Sequence, residues 1–228
     1  VPTLTVYPDA GIGATTVDGA VLCTDGTGTF SWATIRAANG TSVDHDANAQ
    51  DVVVGFGDWG TPNTWNFLLR GIFTFDTSAL GAGALISSAT FSIQGVSQSN
   101  NAGTIDINIY SAAPLANNAL NAADYQTCGA VPFSTTIPYA SWSVTGYNDF
   151  VLNADGIAAI NKTGITKFSA RDATHDVGGV EPSSPWGGFS SLLICDFADA
   201  VGTGTDPKLV IEYTVPAGNV RLLGQVCT

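Results

Sequence analysis

Thr104-Ile105-Asp106-Ile107-Asn108-Ile109-Tyr110 alternates apolar and polar residues with a period of two. In an extended chain successive side chains point to opposite faces, so Ile105, Ile107 and Ile109 share one face and Asp106, Asn108 and Tyr110 the other. Leu209, Ile211 and Tyr213 oppose Lys208, Val210 and Glu212 in the same way, and Ala89, Phe91 and Ile93 oppose Thr90, Ser92 and Gln94. A strand with one dry and one wet face belongs to an antiparallel sheet, and two dry faces packed together make a sandwich.

Strand-like runs recur along the chain between Gly, Asn, Asp and Ser clusters. They fall at residues 4–7, 20–23, 33–37, 52–56, 67–76, 86–96, 104–110, 167–171, 191–197 and 208–214. Roughly ten strands of this kind suit a single jelly-roll-like antiparallel β-sandwich. Only two segments read as helical. Asn153 is placed to cap residues 154–161, with Ile157 and Ile160 on one face, and a shorter turn is expected at 122–126. Neither is long enough to cross between parallel strands, which disfavours an α/β fold. The expected domain covers residues 1–215, and Val215-Pro216-Ala217-Gly218 breaks the last strand from a tail, 216–228.

Composition agrees with this reading. The 228 residues include 26 Gly and no Met, and only Glu181 and Glu212 among the 19 acids are Glu. Helix formers are therefore scarce, while turn and strand residues abound. With 45% hydrophobic and 11% charged residues the chain is not of a disordered class. Lys and Arg total 7, and the formal net charge is −12. A backbone-reading nucleic-acid protein needs a basic face, which seven scattered cations do not supply. No apolar run approaches the ~20 residues of a membrane helix, so no membrane insertion is expected. A chain that opens on Val and lacks Met suggests removal of a signal peptide or pro-segment, although a chain trimmed at its start would look the same.

Three further stretches carry a family resemblance. Leu69-Arg70-Gly71-Ile72-Phe73-Thr74-Phe75-Asp76-Thr77-Ser78 leads into Ile86-Ser87-Ser88-Ala89-Thr90-Phe91. Phe150-Val151-Leu152-Asn153 leads through Gly156-Ile157 to Lys167-Phe168-Ser169-Ala170-Arg171. Asp206-Pro207-Lys208-Leu209-Val210-Ile211-Glu212-Tyr213 closes the domain. Together, over roughly residues 4–215, they resemble the DNRLRE-type β-sandwich domains of secreted and cell-surface proteins. That resemblance implies a jelly roll, an extracellular setting and usually no catalysis. Members serve as adhesive or structural modules, and some relatives bind polysaccharides. The tail after Val215 has no place in the family pattern.

Candidate sites are few. His45 and His175 lie in polar sequence and read as solvated. No Gly-x-Ser-x-Gly elbow accompanies them, and the Gly11–Gly13 stretch has no helix behind it, so no enzyme chemistry is expected. Clustered Asp suits Ca²⁺, which takes 6–8 oxygens. Asp172 and Asp176 after a strand, and Asp44 and Asp46 in a loop, are the candidate ligands of a structural Ca²⁺; Asp capping of turns is the plainer reading. Cys23, Cys128, Cys195 and Cys227 are disulfide candidates with three possible connectivities, or else buried thiols. Asn39 and Asn161 open glycosylation sequons. Trp59, Trp65 and Trp186 lie outside the clear strands. They are candidates for stacking on a glycan, or else caps on the ends of the sandwich.

The tail reads Asn219-Val220-Arg221-Leu222-Leu223-Gly224-Gln225-Val226-Cys227-Thr228. Val220, Leu222 and Val226 fall on one face of a strand, with Gly224 in the remaining position. Such a strand suits donation to an open sheet edge of a neighbouring copy. The function expected from sequence is a non-catalytic, self-associating subunit of a surface fibre or filament. A carbohydrate-binding module is the alternative.

Overall fold

The computed structural model describes residues 1–11, 14–44, 50–199 and 202–216. Eleven strands carry it: β1 Thr3–Val6, β2 Asp18–Thr24, β3 Ser42–Asp44, β4 Gln50–Gly57, β5 Phe67–Asp76, β6 Leu85–Asn100, β7 Ile107–Ser111, β8 Tyr147–Val151, β9 Ile165–Asp172, β10 Ser190–Asp196 and β11 Lys208–Thr214. Every strand pairing is antiparallel. The all-β, sandwich-like class expected from the alternation is the class observed.

The long strand β6 belongs to both layers. Residues 85–94 pair with β11 on one side and β8 on the other, and β1 extends that layer beyond β11. Residues 95–100 of β6 then pair with β10, which leads into the second layer through β4 and β5. There β5 also pairs with β2 and β9, and β3 and β7 lie beyond them. Gly95 marks the change of layer, because a Cβ there would run into the Ser143 carbonyl and the Trp142 indole. Phe91 of β6 joins the layers in the core. Its ring lies 5.0 Å from Phe73, 5.3 Å from Phe75 and 6.0 Å from Phe168, on the opposite layer, and 6.2 Å from Phe150.

Three expectations are corrected. Residues 33–37 form a helix, α1 (Trp32–Ala37), rather than a strand. The Ser31 side chain accepts from the Thr34 amide, and Trp32 and Ile35, three apart, bury on one face. The cap and the three-residue spacing outweigh the β-branched residues. The second helix, α2 (Ala154–Ala158), starts behind the Asn153 cap but stops short of residue 161. The polar face of β7 is not wet, since Asn108 and Tyr110 are as buried as Ile107 and Ile109. The segment around Ser134 covers it: Asn108 Nδ2 donates to the Ser134 carbonyl at 2.9 Å, and Ser134 Oγ donates to Asn108 Oδ1 at 2.6 Å.

Candidate functional site

The largest concentration of charge is built around Asp176. After β9 the chain makes a short wide turn, Ala173–Val177, capped by Asp172, whose Oδ1 accepts from the Thr174 and His175 amides. The turn aims Asp176 inward at two guanidinium groups. Arg70 of β5 donates through Nε and Nη2 at 2.8 and 2.7 Å, and Arg171 of β9 through Nε and Nη2 at 2.7 and 2.9 Å. Arg36 of α1 donates to the Asp176 carbonyl. Burial alone would push the Asp176 carboxyl up, but Arg70 and Arg171 outweigh it and hold it below the usual range. Arg70 also lies 3.8 Å over the Tyr125 ring and donates to the carbonyls of Tyr125 and Arg36.

This arrangement bears on the expected calcium ligands Asp172 and Asp176. Both Asp176 oxygens are filled by guanidinium N–H groups, and a cation placed there would meet Arg70 and Arg171 at contact distance. Asp172 is fully buried with Oδ2 unpartnered, and burial pushes its carboxyl up to about 8. Asp44 ends β3, where it pairs with Ala20 of β2. Asp46 and His45 lie outside the described residues. His175 is buried rather than solvated. Its Nδ1 lies 2.7 Å from the Val180 carbonyl and its ring packs edge-on against Phe56.

The tryptophans separate. Trp65 is completely buried, with rings of Trp32, Phe56 and Trp186 edge-on around it and its indole N–H donating to Glu181 Oε1 at 2.9 Å. It is therefore a cap on the sandwich end and not a stacking surface. Trp59 is 61% exposed and Phe189 39% exposed, and Trp186 is half-buried. Asp58 binds their two loops together: its Oδ1 accepts from the Gly60 and Gly188 amides, and its Oδ2 from Ser184 Oγ. Trp59, Trp186 and Phe189 thus share one rim held by a buried carboxylate. The sequence reading missed Phe189, because it follows two glycines in a segment without periodicity.

Cys23, Cys128 and Cys195 are free thiols, so none of the three is bridged to another; Cys227 lies outside the described residues. Cys23 and Cys195 are fully buried, and burial pushes the Cys128 thiol up to about 11. Asn39 and Asn161 are both exposed, a position open to a glycan. Val220, Leu222 and Val226 lie outside the described residues.

A second carboxylate group was not legible in sequence. Asp18 opens β2, Asp196 ends β10, and Asp199 and Asp206 lie on the connection from β10 to β11. Asp18 Oδ2 accepts from the Ala198 amide at 3.0 Å, which draws the connection onto β2. Asp196, Asp199 and Asp206 lie 178, 181 and 188 residues from Asp18 along the chain, so spacing gave no hint. Among the described residues no group of three or more His, Cys, Asp or Glu side chains is placed to hold a metal ion.

No protein-family model matches the chain, and no curated protein sequence matches it.

Proposed function

We propose that the protein is a non-catalytic extracellular structural subunit of the DNRLRE-like sandwich type that associates with copies of itself by donating its C-terminal tail as a strand. The observation that carries the reading is the edge strand β8. Among the described strands it pairs with β6 alone. Beside it lies a cleft of about 280 Å³ lined by Thr135, Ile137, Pro138, Ser141, Asp149 and Val151, with the Val151 side chain 65% exposed. An edge of this kind presents backbone N–H and C=O groups to an incoming strand, and the cleft takes alternate side chains.

The donor leaves from another part of the same layer. Thr214 pairs with Leu85, so the tail departs beside a second, apolar cleft of about 270 Å³ lined by Leu85, Ile86, Ile157 and Ile160. Donor and acceptor are different surfaces of one subunit. Their contact is heterologous and, unless the rotation closes, builds a filament. Electron microscopy and size-exclusion of the full chain and of a chain ending at residue 216 test the reading. Filaments or large oligomers that vanish on truncation support it. Identical assemblies after truncation reject it, and so does a monomer in both cases.

A second reading, a carbohydrate-binding module, is favoured by the rim of Trp59, Trp186 and Phe189, whose exposed ring faces suit stacking on sugars. Retardation of the full chain on polysaccharide gels, lost in Trp59→Ala, is the result that selects it. Either way, no described helix is long and apolar enough to cross a membrane.

A further inference from the structure

We propose that the protein cuts its own chain between Asp206 and Pro207, with the Asp206 carboxyl as nucleophile and Tyr147 as the hydrogen-bond donor on the scissile carbonyl. It is a single processing event within the chain, not turnover of a substrate, and it is independent of the self-association proposed above.

Three features meet at this bond. Of the ten prolines only Pro207 follows an aspartate. Its nitrogen carries no N–H, so the bond is a tertiary amide, and the group released is a basic secondary amine. Asp206 is buried and its Oδ1 has no hydrogen-bond partner, so nothing restrains that oxygen from its own carbonyl carbon. An aspartate side chain has the length to close a five-membered ring there. Tyr147 Oη donates to the Asp206 carbonyl at 3.0 Å, sharing its proton with the Gly204 carbonyl at 3.1 Å. Strand register explains the reach. Lys208 of β11 pairs with Ser92 and Tyr147 of β8 with Gln94, so the tyrosine crosses β6 to the residues that lead into β11. Asp18 and Asp172 also have an unpartnered oxygen, but Gly19 and Ala173 follow them, and a secondary amide is the poorer leaving group.

The step balances with water alone. One Asp206 carboxyl oxygen forms a bond to the carbonyl carbon of the same residue and closes a cyclic anhydride. The C–N bond to Pro207 breaks, and the carboxyl proton passes to the proline nitrogen. Water then opens the anhydride, leaving Asp206 as the new C-terminus. Negative charge develops on the carbonyl oxygen during the attack, and the Tyr147 hydroxyl stands on that oxygen. The ammonium of Lys208, 3.6 Å over the Tyr147 ring, draws electron density from the phenol and makes its O–H a stronger donor. Burial, ahead of the charges of Tyr7, Asp206 and Asp196, pushes the Tyr147 hydroxyl up, so it keeps its proton. Burial also leads at Asp206, with Asp196 and Asp199 adding to it, and pushes that carboxyl up to about 6; Asp18 faces the same region. The folded chain therefore holds the proton the reaction needs in mild acid, where an unfolded aspartate has released it. The cut falls just before β11, whose pairing with β1 and β6 keeps the freed piece, residues 207–228, in place until the protein is denatured.

The test incubates the full chain with protease inhibitors across a pH series, folded and in urea, and reads intact mass after denaturation. Fragments 1–206 and 207–228 are expected from the folded chain, at a rate that rises as pH falls and levels off below about pH 6. In urea the same bond should break at least about tenfold more slowly at pH 5, with its rise displaced toward the ordinary carboxyl range near pH 4. Tyr147→Phe should slow the folded reaction by about a hundredfold, as removal of one donor to a developing oxyanion does. Asp206→Ala and Pro207→Ala should each abolish it. A folded chain that stays whole at pH 5 overturns the proposal. So does cleavage at the same rate in urea, which assigns the cut to the ordinary acid lability of an Asp–Pro bond. An undiminished rate in Tyr147→Phe, or in Asp206→Ala, overturns it as well. The folded-against-urea comparison uses the parent chain alone and does not depend on any variant folding.

Discussion

Arg171 and Asp176, five residues apart, form a two-pronged ion pair in which Nε meets Oδ2 at 2.7 Å and Nη2 meets Oδ1 at 2.9 Å. The turn between them folds the chain back so that β9 supplies one guanidinium and β5, through Arg70, a second. Three of the seven cations of the chain, Arg36, Arg70 and Arg171, thus meet at one aspartate. The pairing holds α1, β5, β9 and the turn together on one side of the sheet.

Removing the carboxylate should leave Arg70 charged and buried without its partner. Asp176→Ala is expected to cost about 3–5 kcal/mol, the range for breaking a buried ion pair from one side. Urea unfolding of the variant against the parent measures it. A loss below about 1 kcal/mol would place the node at the level of a surface ion pair.

Stability should depend on pH in two directions. Burial, first among the causes, pushes the Asp18 and Asp172 carboxyls up to about 8 from an ordinary 3.8. Between those values the folded state holds protons that the unfolded chain has released, so stability falls as pH rises. The melting temperature is expected to drop between about pH 5 and pH 8.5, and Asp18→Asn or Asp172→Asn should flatten the slope. Asp176 and Asp58 act oppositely. Hydrogen bonds and, for Asp176, two guanidiniums outweigh burial and hold them below the usual range. Their contribution is present above about pH 4 and is lost as pH falls below it, so the melting temperature should turn down again in acid.

The tryptophans should divide by burial. Trp65→Ala is expected to cost about 3–5 kcal/mol, because it empties the centre of an aromatic cluster. Trp59→Ala should stay within about 0.5 kcal/mol of the parent. Thermal or chemical unfolding of the two single variants separates them, and equal losses would contradict the assignment of Trp65 as the cap.

Thiol chemistry should follow burial as well. Cys23 and Cys195 are fully buried and the Cys128 thiol is pushed up to about 11, so little thiolate is present near neutrality. Alkylation of the folded chain at pH 7.5 is expected to spare all three, and alkylation in denaturant to label them. Mass spectrometry of labelled peptides reads the result, and rapid native labelling of Cys128 would contradict it.

Much of the frame was legible because side-chain direction in a strand is a local property. Period-two alternation at residues 86–96 and 208–214 marks one dry face whatever lies opposite, and those runs became β6 and β11. Ser31 shows the limit of that reading. One hydroxyl accepting from Thr34 turned an apparent strand into α1, and a cap is a weaker signal in sequence than a run of β-branched residues. Asn108 and Tyr110 show another limit, since a covered outer face looks the same in sequence as a wet one.

The sequence by itself determined the class of the molecule: too few helix formers, too many turn residues and an alternation that only a sheet with a dry face can use. It also set the charge balance, seven cations against nineteen acids. Tertiary structure alone decided what each aspartate does. Asp172 and Asp176 stand four apart and look like a ligand pair, yet Asp176 is filled by Arg70, from a strand more than a hundred residues away in sequence. Asp18 opens β2 near the start of the chain, yet its carboxylate accepts from the Ala198 amide, 180 residues further on. A carboxylate's role depends on which charges and donors surround it in space, and antiparallel pairing between distant strands sets those neighbours independently of spacing along the chain.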